Sequence, residues 1–315
     1  MIYSIGINAK LTLDMHSLNN EGGEGNQTLT RQVTITDESG NLHMVNAISG
    51  DMYKHIQAEH LYYIALQEKL PLCKSCEIFN PNRISGDIDF KFNKSDSDEV
   101  ILDEVLKRCI IDDMEGILIT SNNKNIPIKS SVEFGWVVGI PKSTKTENYF
   151  HVKLVPNSKK DNADDNGANV GQNIFHRPAS SGQYAFVANI DCYRIGYNEI
   201  TRSYPISDED REKRFKALIK SMLYTLIKPT GAMRNTQNPH IVNGEGVITI
   251  SKSSAPAPLV SPLNKEYESQ IKNISNSLNK IEGEDVIQYK EFKNLAEFAE
   301  IMGKIAKQKP AKIEV

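Results

Sequence analysis

The stretch YAFVANIDC, residues 184–192, restricts the possible folds more than any other. Tyr184, Phe186, Ala188, Ile190 and Cys192 alternate with Ala185, Val187, Asn189 and Asp191. A period of two makes this a strand with one face turned to a core, and such a strand must find partners in a sheet. Residues 3–13 repeat the pattern, with Tyr3, Ile5, Ile7, Ala9, Leu11 and Leu13 on one face. Ser4, Gly6, Asn8, Lys10 and Thr12 share the other face, which is expected to be open to something polar. Residues 131–140 give a third strand, with Val132, Phe134, Trp136, Val138 and Ile140 sharing a face and Pro141 breaking it. A last strand is expected near 245–251.

Two helices separate these strands. Ser49 is a fitting N-cap for a helix over 50–69, which ends before Pro71. Ser207, followed by Asp208, Glu209 and Asp210, starts another whose buried stripe is Phe215, Leu218, Ile219, Met222, Leu223 and Leu226. The order strand, helix, strand, strand, helix, strand predicts an α+β chain with a ferredoxin-like or RRM-like βαββαβ core.

The remaining segments read as additions to that core. Residues 14–47 are expected to form a long loop or lid with a short hairpin around Glu38–Asn41. Residues 72–130 form an insertion with a helix over about 98–111. Residues 157–173, NSKKDNADDNGANVGQN, offer almost nothing to a core and are expected to be a mobile or partner-ordered loop between the second and third strands. Residues 252–262 look like a Pro/Ser linker, followed by helices over 263–280 and 290–307.

Composition narrows the function classes. The formal net charge of −3 argues against a free-standing, charge-driven DNA binder, although one cationic face is compatible with it. No apolar run approaches the roughly 20 residues that span a bilayer, and the N-terminus lacks a signal-peptide pattern, so a cytoplasmic protein without a membrane partner is expected.

Most catalytic motifs are missing. The run Glu21–Gly25 lacks the Lys-Ser/Thr of a phosphate-binding loop. Asp112, Asp113 and Glu115 read as a solvated acidic surface. Cys73-Lys74-Ser75-Cys76 is a CxxC that can hold zinc only if two more ligands converge. Cys109 is a candidate third ligand, and no second CxxC or HxxxH supplies a fourth. These cysteines are therefore read as ordinary buried thiols, and no metal or cofactor is expected. The seven histidines are scattered and read mostly as surface residues. The polar face of the first strand has no aromatic residue, so RNA, if bound, would be held by its backbone rather than by the stacking of a standard RRM.

The blocks HSLNNEGGEGNQTLTRQVTI, NAISGDMYKHI, VEFGWVVGIP, RPASSGQYAFVANIDCYRIG and GAMRNTQNPH occur in this order. Together they resemble the DevR-type backbone subunits of type I CRISPR Cascade complexes, near the I-A and I-B branches, over most of residues 1–251. The resemblance implies a modified RRM core, or palm (1–71 and 131–251, with the lid at 14–47), a finger insertion at 72–130 and a thumb insertion at 141–181, with the linker and helices of 252–315 beyond. It also implies a non-catalytic subunit whose copies line up along CRISPR RNA beside other Cascade subunits, leaving the guide free to pair with target DNA.

Position within the family pattern selects the expected RNA contacts. They are Asn26, Gln27 and Arg31 in the lid, and Asn46, Ser49, Lys54 and His55 at the start of the first helix. Phe175, His176 and Arg177 close the thumb, with Phe175 placed to wedge or stack at a displaced base. Arg234, Asn235 and Gln237 lie before the last strand. Two alternatives stand beside this reading. One is a type III-like subunit that cuts target RNA, with Asp51 the nearest acid. The other is a scaffold that binds no RNA.

Overall fold

The computed structural model describes residues 1–154 and 172–313. The elements in chain order are β1 (Ser4–His16), β2 (Asn20–Glu24), β3 (Gln27–Thr30), β4 (Gln32–Thr36), β5 (Leu42–Ile48) and α1 (Gly50–Glu68). An insertion follows, with α2 (Asp98–Arg108), α3 (Ile110–Glu115), β6 (Ile117–Ile119) and β7 (Ile126–Ile128). Then come β8 (Val132–Phe134), β9 (Val137–Leu154), β10 (Gln172–Asp191), α4 (Asp208–Ile227), β11 (His240–Ser251), α5 (Tyr267–Glu282), β12 (Ile287–Phe292) and α6 (Leu295–Ile305).

The spine of the main sheet runs β12-β11-β1-β10-β9-β5-β4, and every pairing along it is antiparallel. With β8–β9 taken as the second core strand, the core order is fourth, first, third, second. This is the expected βαββαβ arrangement. The β1–β10 register sets Ile5 opposite Ile190, Ile7 opposite Ala188, Ala9 opposite Phe186 and Leu11 opposite Tyr184. All eight side chains are buried in one core. Helices α1 and α4 close that core with Tyr53, Leu61, Phe215 and Met222, and each fully buried large side chain is worth about 1.5–3 kcal/mol.

Both helix starts follow their caps. Ser49 Oγ accepts from Met52 N at 3.2 Å, and Ser207 Oγ accepts from Asp210 N at 3.1 Å. Helix α1 stops where Lys69 turns left-handed, two residues before Pro71.

Several expectations are corrected. Residues 14–47 are largely strand: β2 pairs β3, and β4 pairs β5 across the turn at 37–41. Pro141 does not break its strand, because β9 runs through it. Instead the break comes at Gly135–Trp136. Val132 and Val137 are both buried while Trp136 is 42% exposed, so residues 132–140 do not keep one face. The long helix expected over 98–111 is two helices, with Cys109 extended between them. Residues 287–292 are an edge strand, which takes in the first three residues of the helix expected over 290–307. Helix α6 begins only after Asn294, whose Oδ1 caps Glu297 N at 2.9 Å.

The Pro/Ser segment is a packed strap rather than a free linker. Asn8 Oδ1 accepts from Val260 N at 2.9 Å, and Thr249 Oγ1 donates to Pro258 O at 3.0 Å. Gly6 makes room for the strap: a Cβ there would stand 3.0 Å from Leu259 Cδ2 and 3.1 Å from Pro258 O. The strap covers the first half of the face of β1 that was expected to stay open. Ser4 and Asn8 are buried, whereas Lys10 and Thr12 keep some exposure.

Strands β9 and β10 continue beyond the sheet as a two-stranded ribbon, paired from Lys145–Ser181 out to Leu154–Gln172. The polar run 157–173 falls almost wholly outside the described residues.

Candidate RNA-binding groove and buried thiol cluster

The expected contacts fall into three groups. The first lines an open groove of about 600 Å³. Helix α1 contributes His55, the middle of the ribbon Arg177, and the loop before β11 Arg234 and Asn235. These positions are far apart in sequence, and two tethers hold the loop in place. Gln237 Nε2 donates to Pro178 O at 2.8 Å, and Ala232 N donates to Leu18 O at 3.0 Å. Glu59, one turn after His55, lies in the same groove and takes Arg234 Nη1 at 2.9 Å. Glu59 was missed in the sequence, although its i,i+4 spacing from His55 is the signal that shares a helix face.

The second group lies on the ribbon and the lid beside it. Phe175 sits directly across the strand pair from His151, and their rings stack at 5.6 Å with 13° between planes. Arg177, two residues along the same strand face, places its guanidinium 4.7 Å from the Phe175 ring centre. His176 points to the opposite face, edge-on to Phe150. Its backbone N donates to Asn26 O at 2.8 Å, and it bridges Gln27, so the β2–β3 lid leans on the ribbon.

The third group is not part of this surface. Asn46 is buried, donates from Nδ2 to Arg31 O at 3.0 Å and accepts from Tyr184 Oη at 2.9 Å. Ser49 is buried as the α1 cap, and its N donates to Asn19 Oδ1 at 2.7 Å. A Cβ at Gly50 would stand 2.7 Å from Phe134 O, so the start of α1 is tucked under β8 rather than offered to a ligand. Lys54 is half-buried beneath the insertion, near Glu115 and Glu133, and burial lowers its pKa. Arg31 pairs with Glu21 and lies 5.2 Å from the Trp136 ring centre. Asp51 is exposed in the first turn of α1.

The insertion holds a second cluster. Cys73, Cys76 and Cys109 converge, joined by Asp112, and one ligand atom from each lies within 4.8 Å of all the others. The expectation of a solvated acidic surface is therefore wrong: Asp112, Asp113 and Glu115 are all buried. Asp113 is committed to Arg214, at 2.6 Å between two closed-off side chains, and to Gly196 N. Burial raises the Asp112 carboxyl to about 7 and pushes the Cys109 thiol well up. Hydrogen bonding from Cys109 and Cys76 holds Cys73 far below the usual thiol range. His16 is also buried, against the expectation of surface histidines.

A family model described as CRISPR-associated negative auto-regulator DevR/Csa2 matches residues 7–272. The chain is 23% identical over 289 residues to the CRISPR-associated protein Cas7/Csa2 1 of Saccharolobus solfataricus, covering 88% of each. Its fold is similar to a chain in a solved CRISPR RNA-guided surveillance complex, pre-nicking, with a TM-score of 0.53 at 13% identity over 96% of this chain and 99% of that one. A chain of another CRISPR RNA-guided surveillance complex gives 0.50 at 13% identity, covering 96% and 98%.

Proposed function

The chain belongs to the DevR/Csa2 family of CRISPR-associated proteins, and from that premise we propose that it is a backbone subunit that holds CRISPR RNA. Copies of it line up along the guide beside other Cascade subunits and leave bases free to pair with target DNA. One observation carries this reading: the groove gathers His55, Arg177, Arg234 and Asn235 from three separate stretches of chain. Cations and amides of this kind hold phosphates whatever the base, which leaves sequence reading to pairing.

The rest of the surface fits the same task. Phe175, stacked with His151 and lying beside Arg177, offers an aromatic face to a single base at the groove edge. The ribbon is the arm that reaches the next copy, and its exposed Phe150, Val152 and Ile174 suit a protein contact. Asn26, Gln27 and His176 complete the path from lid to ribbon. Asn46 and Ser49 act from inside by fixing Arg31 and the start of α1.

The role is non-catalytic. Asp51→Asn is expected to leave a paired target RNA as intact as the parent protein does. The deciding experiment is co-expression with a repeat-spacer RNA, comparing the parent chain with the Arg177→Glu/Arg234→Glu variant, which reverses both arginines of the groove. The parent is expected to purify as a multi-subunit particle containing the RNA, and the variant as folded protein without it. RNA retained by the variant would remove the groove from the guide path. A folded parent that binds no RNA would favour the plain scaffold.

A further inference from the structure

We propose that Cys73, Cys76, Cys109 and Asp112 form a zinc site that bolts the 72–130 insertion to itself and to the palm. Two cysteines of a CxxC turn, the extended residue between α2 and α3, and the first turn of α3 supply the four ligands. All four residues are buried.

The spacing matches the ion. Tetrahedral Zn²⁺ with Zn–S near 2.3 Å and Zn–O near 2.0 Å requires sulfur–oxygen edges of about 3.5 Å. Asp112 Oδ2 lies 3.7 Å from Cys73 Sγ and 3.9 Å from Cys76 Sγ. The two carboxylate oxygens are divided between tasks. Oδ1 accepts from Ile84 N at 3.4 Å, which leaves Oδ2 turned to the sulfurs. Cys76 N points at Cys73 Sγ at 3.4 Å, the backbone donation that a metal-bound thiolate uses. Three thiolates with one carboxylate is a soft, closed set that suits a structural zinc rather than a hard cation.

The alternative contents fit less well. Without an ion the Asp112 Oδ2 atom has only thiol donors, at 3.7 and 3.9 Å, and such long, weak hydrogen bonds offset little of the cost of burying it. A Cys73–Cys76 disulfide would leave Cys109 and Asp112 facing it without a purpose. An ion satisfies all four at once.

The site also has a mechanical place. Ile110 N donates to Pro71 O at 2.9 Å, so α3 starts against the exit of α1. The neighbour of Asp112, Asp113, grips Arg214 of α4. Zinc would thus fix the helix whose next residue anchors the insertion to the palm.

Two measurements test the site, and neither depends on RNA. The protein, purified without chelator, is analysed for metals by mass spectrometry. The metal is then removed under reducing conditions and Co²⁺ added. About one zinc per chain is expected, with a visible ligand-field band and a near-ultraviolet thiolate-to-cobalt band on reconstitution. Cys192→Ser, which alters a buried thiol outside the cluster, keeps both. Cys76→Ser and Asp112→Ala lose zinc or bind it about 10-fold or more weaker. If either variant fails to fold, the cobalt spectrum of the parent chain decides alone. A folded parent that carries no zinc and shows no thiolate-to-cobalt band overturns the site, as does one whose Cys73 and Cys76 are joined in a disulfide.

Discussion

Arg214 of α4 and Asp113 of α3 meet at 2.6 Å with both side chains almost sealed from water. Arg214 Nη1 also donates to Leu106 O at 2.7 Å, and Asp113 accepts from Gly196 N at 2.9 Å. Burial pushes the Asp113 carboxyl up, and Arg214 opposes that shift. Removing one partner strands the other charge. Asp113→Ala is therefore expected to cost about 3–5 kcal/mol in urea unfolding, whereas the double change Arg214→Met/Asp113→Leu costs clearly less.

RNA held in the groove as proposed would carry a salt signature. Each phosphate held by a cation on a single strand contributes about 0.7 to the slope of log affinity against log salt concentration. Arg234→Gln and Arg177→Gln are each expected to lower that slope by roughly this amount while weakening all guide sequences alike. A titration series at several salt concentrations gives the answer.

Glu59 restrains Arg234 and also accepts from Thr230 Oγ1 at 2.6 Å. Glu59→Gln removes the negative charge from the groove and keeps a partner for the hydroxyl. Affinity for RNA is expected to rise severalfold at low salt. Stability should change by less than about 1 kcal/mol, since the Arg234 side of the pair is exposed. Fluorescence anisotropy and thermal melting together separate the two effects.

His16 predicts a pH dependence of folding. Burial lowers its pKa from 6.5 to about 4. The unfolded chain takes up the proton first as pH falls, so stability is complete above about 6.5, declines between 6.5 and 4, and levels off below. The loss from this residue is on the order of 3 kcal/mol. Urea midpoints measured across that range should show the decline, and His16→Leu should flatten it.

The legible parts of the fold were those in which side-chain period and capping agree. Alternation gave β1 and β10, and Ser49 and Ser207 marked the starts of α1 and α4. The break at Gly135–Trp136 and the edge strand β12 were hidden because a bulge, or a strand half covered by one neighbour, leaves no clean period. The strap was misread because proline and serine describe a flexible linker and a packed extended segment equally well. Among site residues, the CxxC and Cys109 were visible as types. Asp112 was taken for surface because an acid run says nothing about burial, and only tertiary contact turns it toward the sulfurs. Glu59, Trp136 and His151 were overlooked for a similar reason: each matters through a cross-chain neighbour.

The strap also bears on how β1 finds its place. Alternation alone penalises a one-residue shift of a strand, but a two-residue shift returns every apolar side chain to the core and passes unnoticed. Asn8 and Gly6 remove that degeneracy. In a strand slid by two, the amide would no longer meet Val260, and a side chain would replace the glycine under Leu259. The strap of residues 252–262, which lacks any regular structure, thus acts as a vernier on the central strand, selecting one alignment among those that hydrophobicity leaves equal.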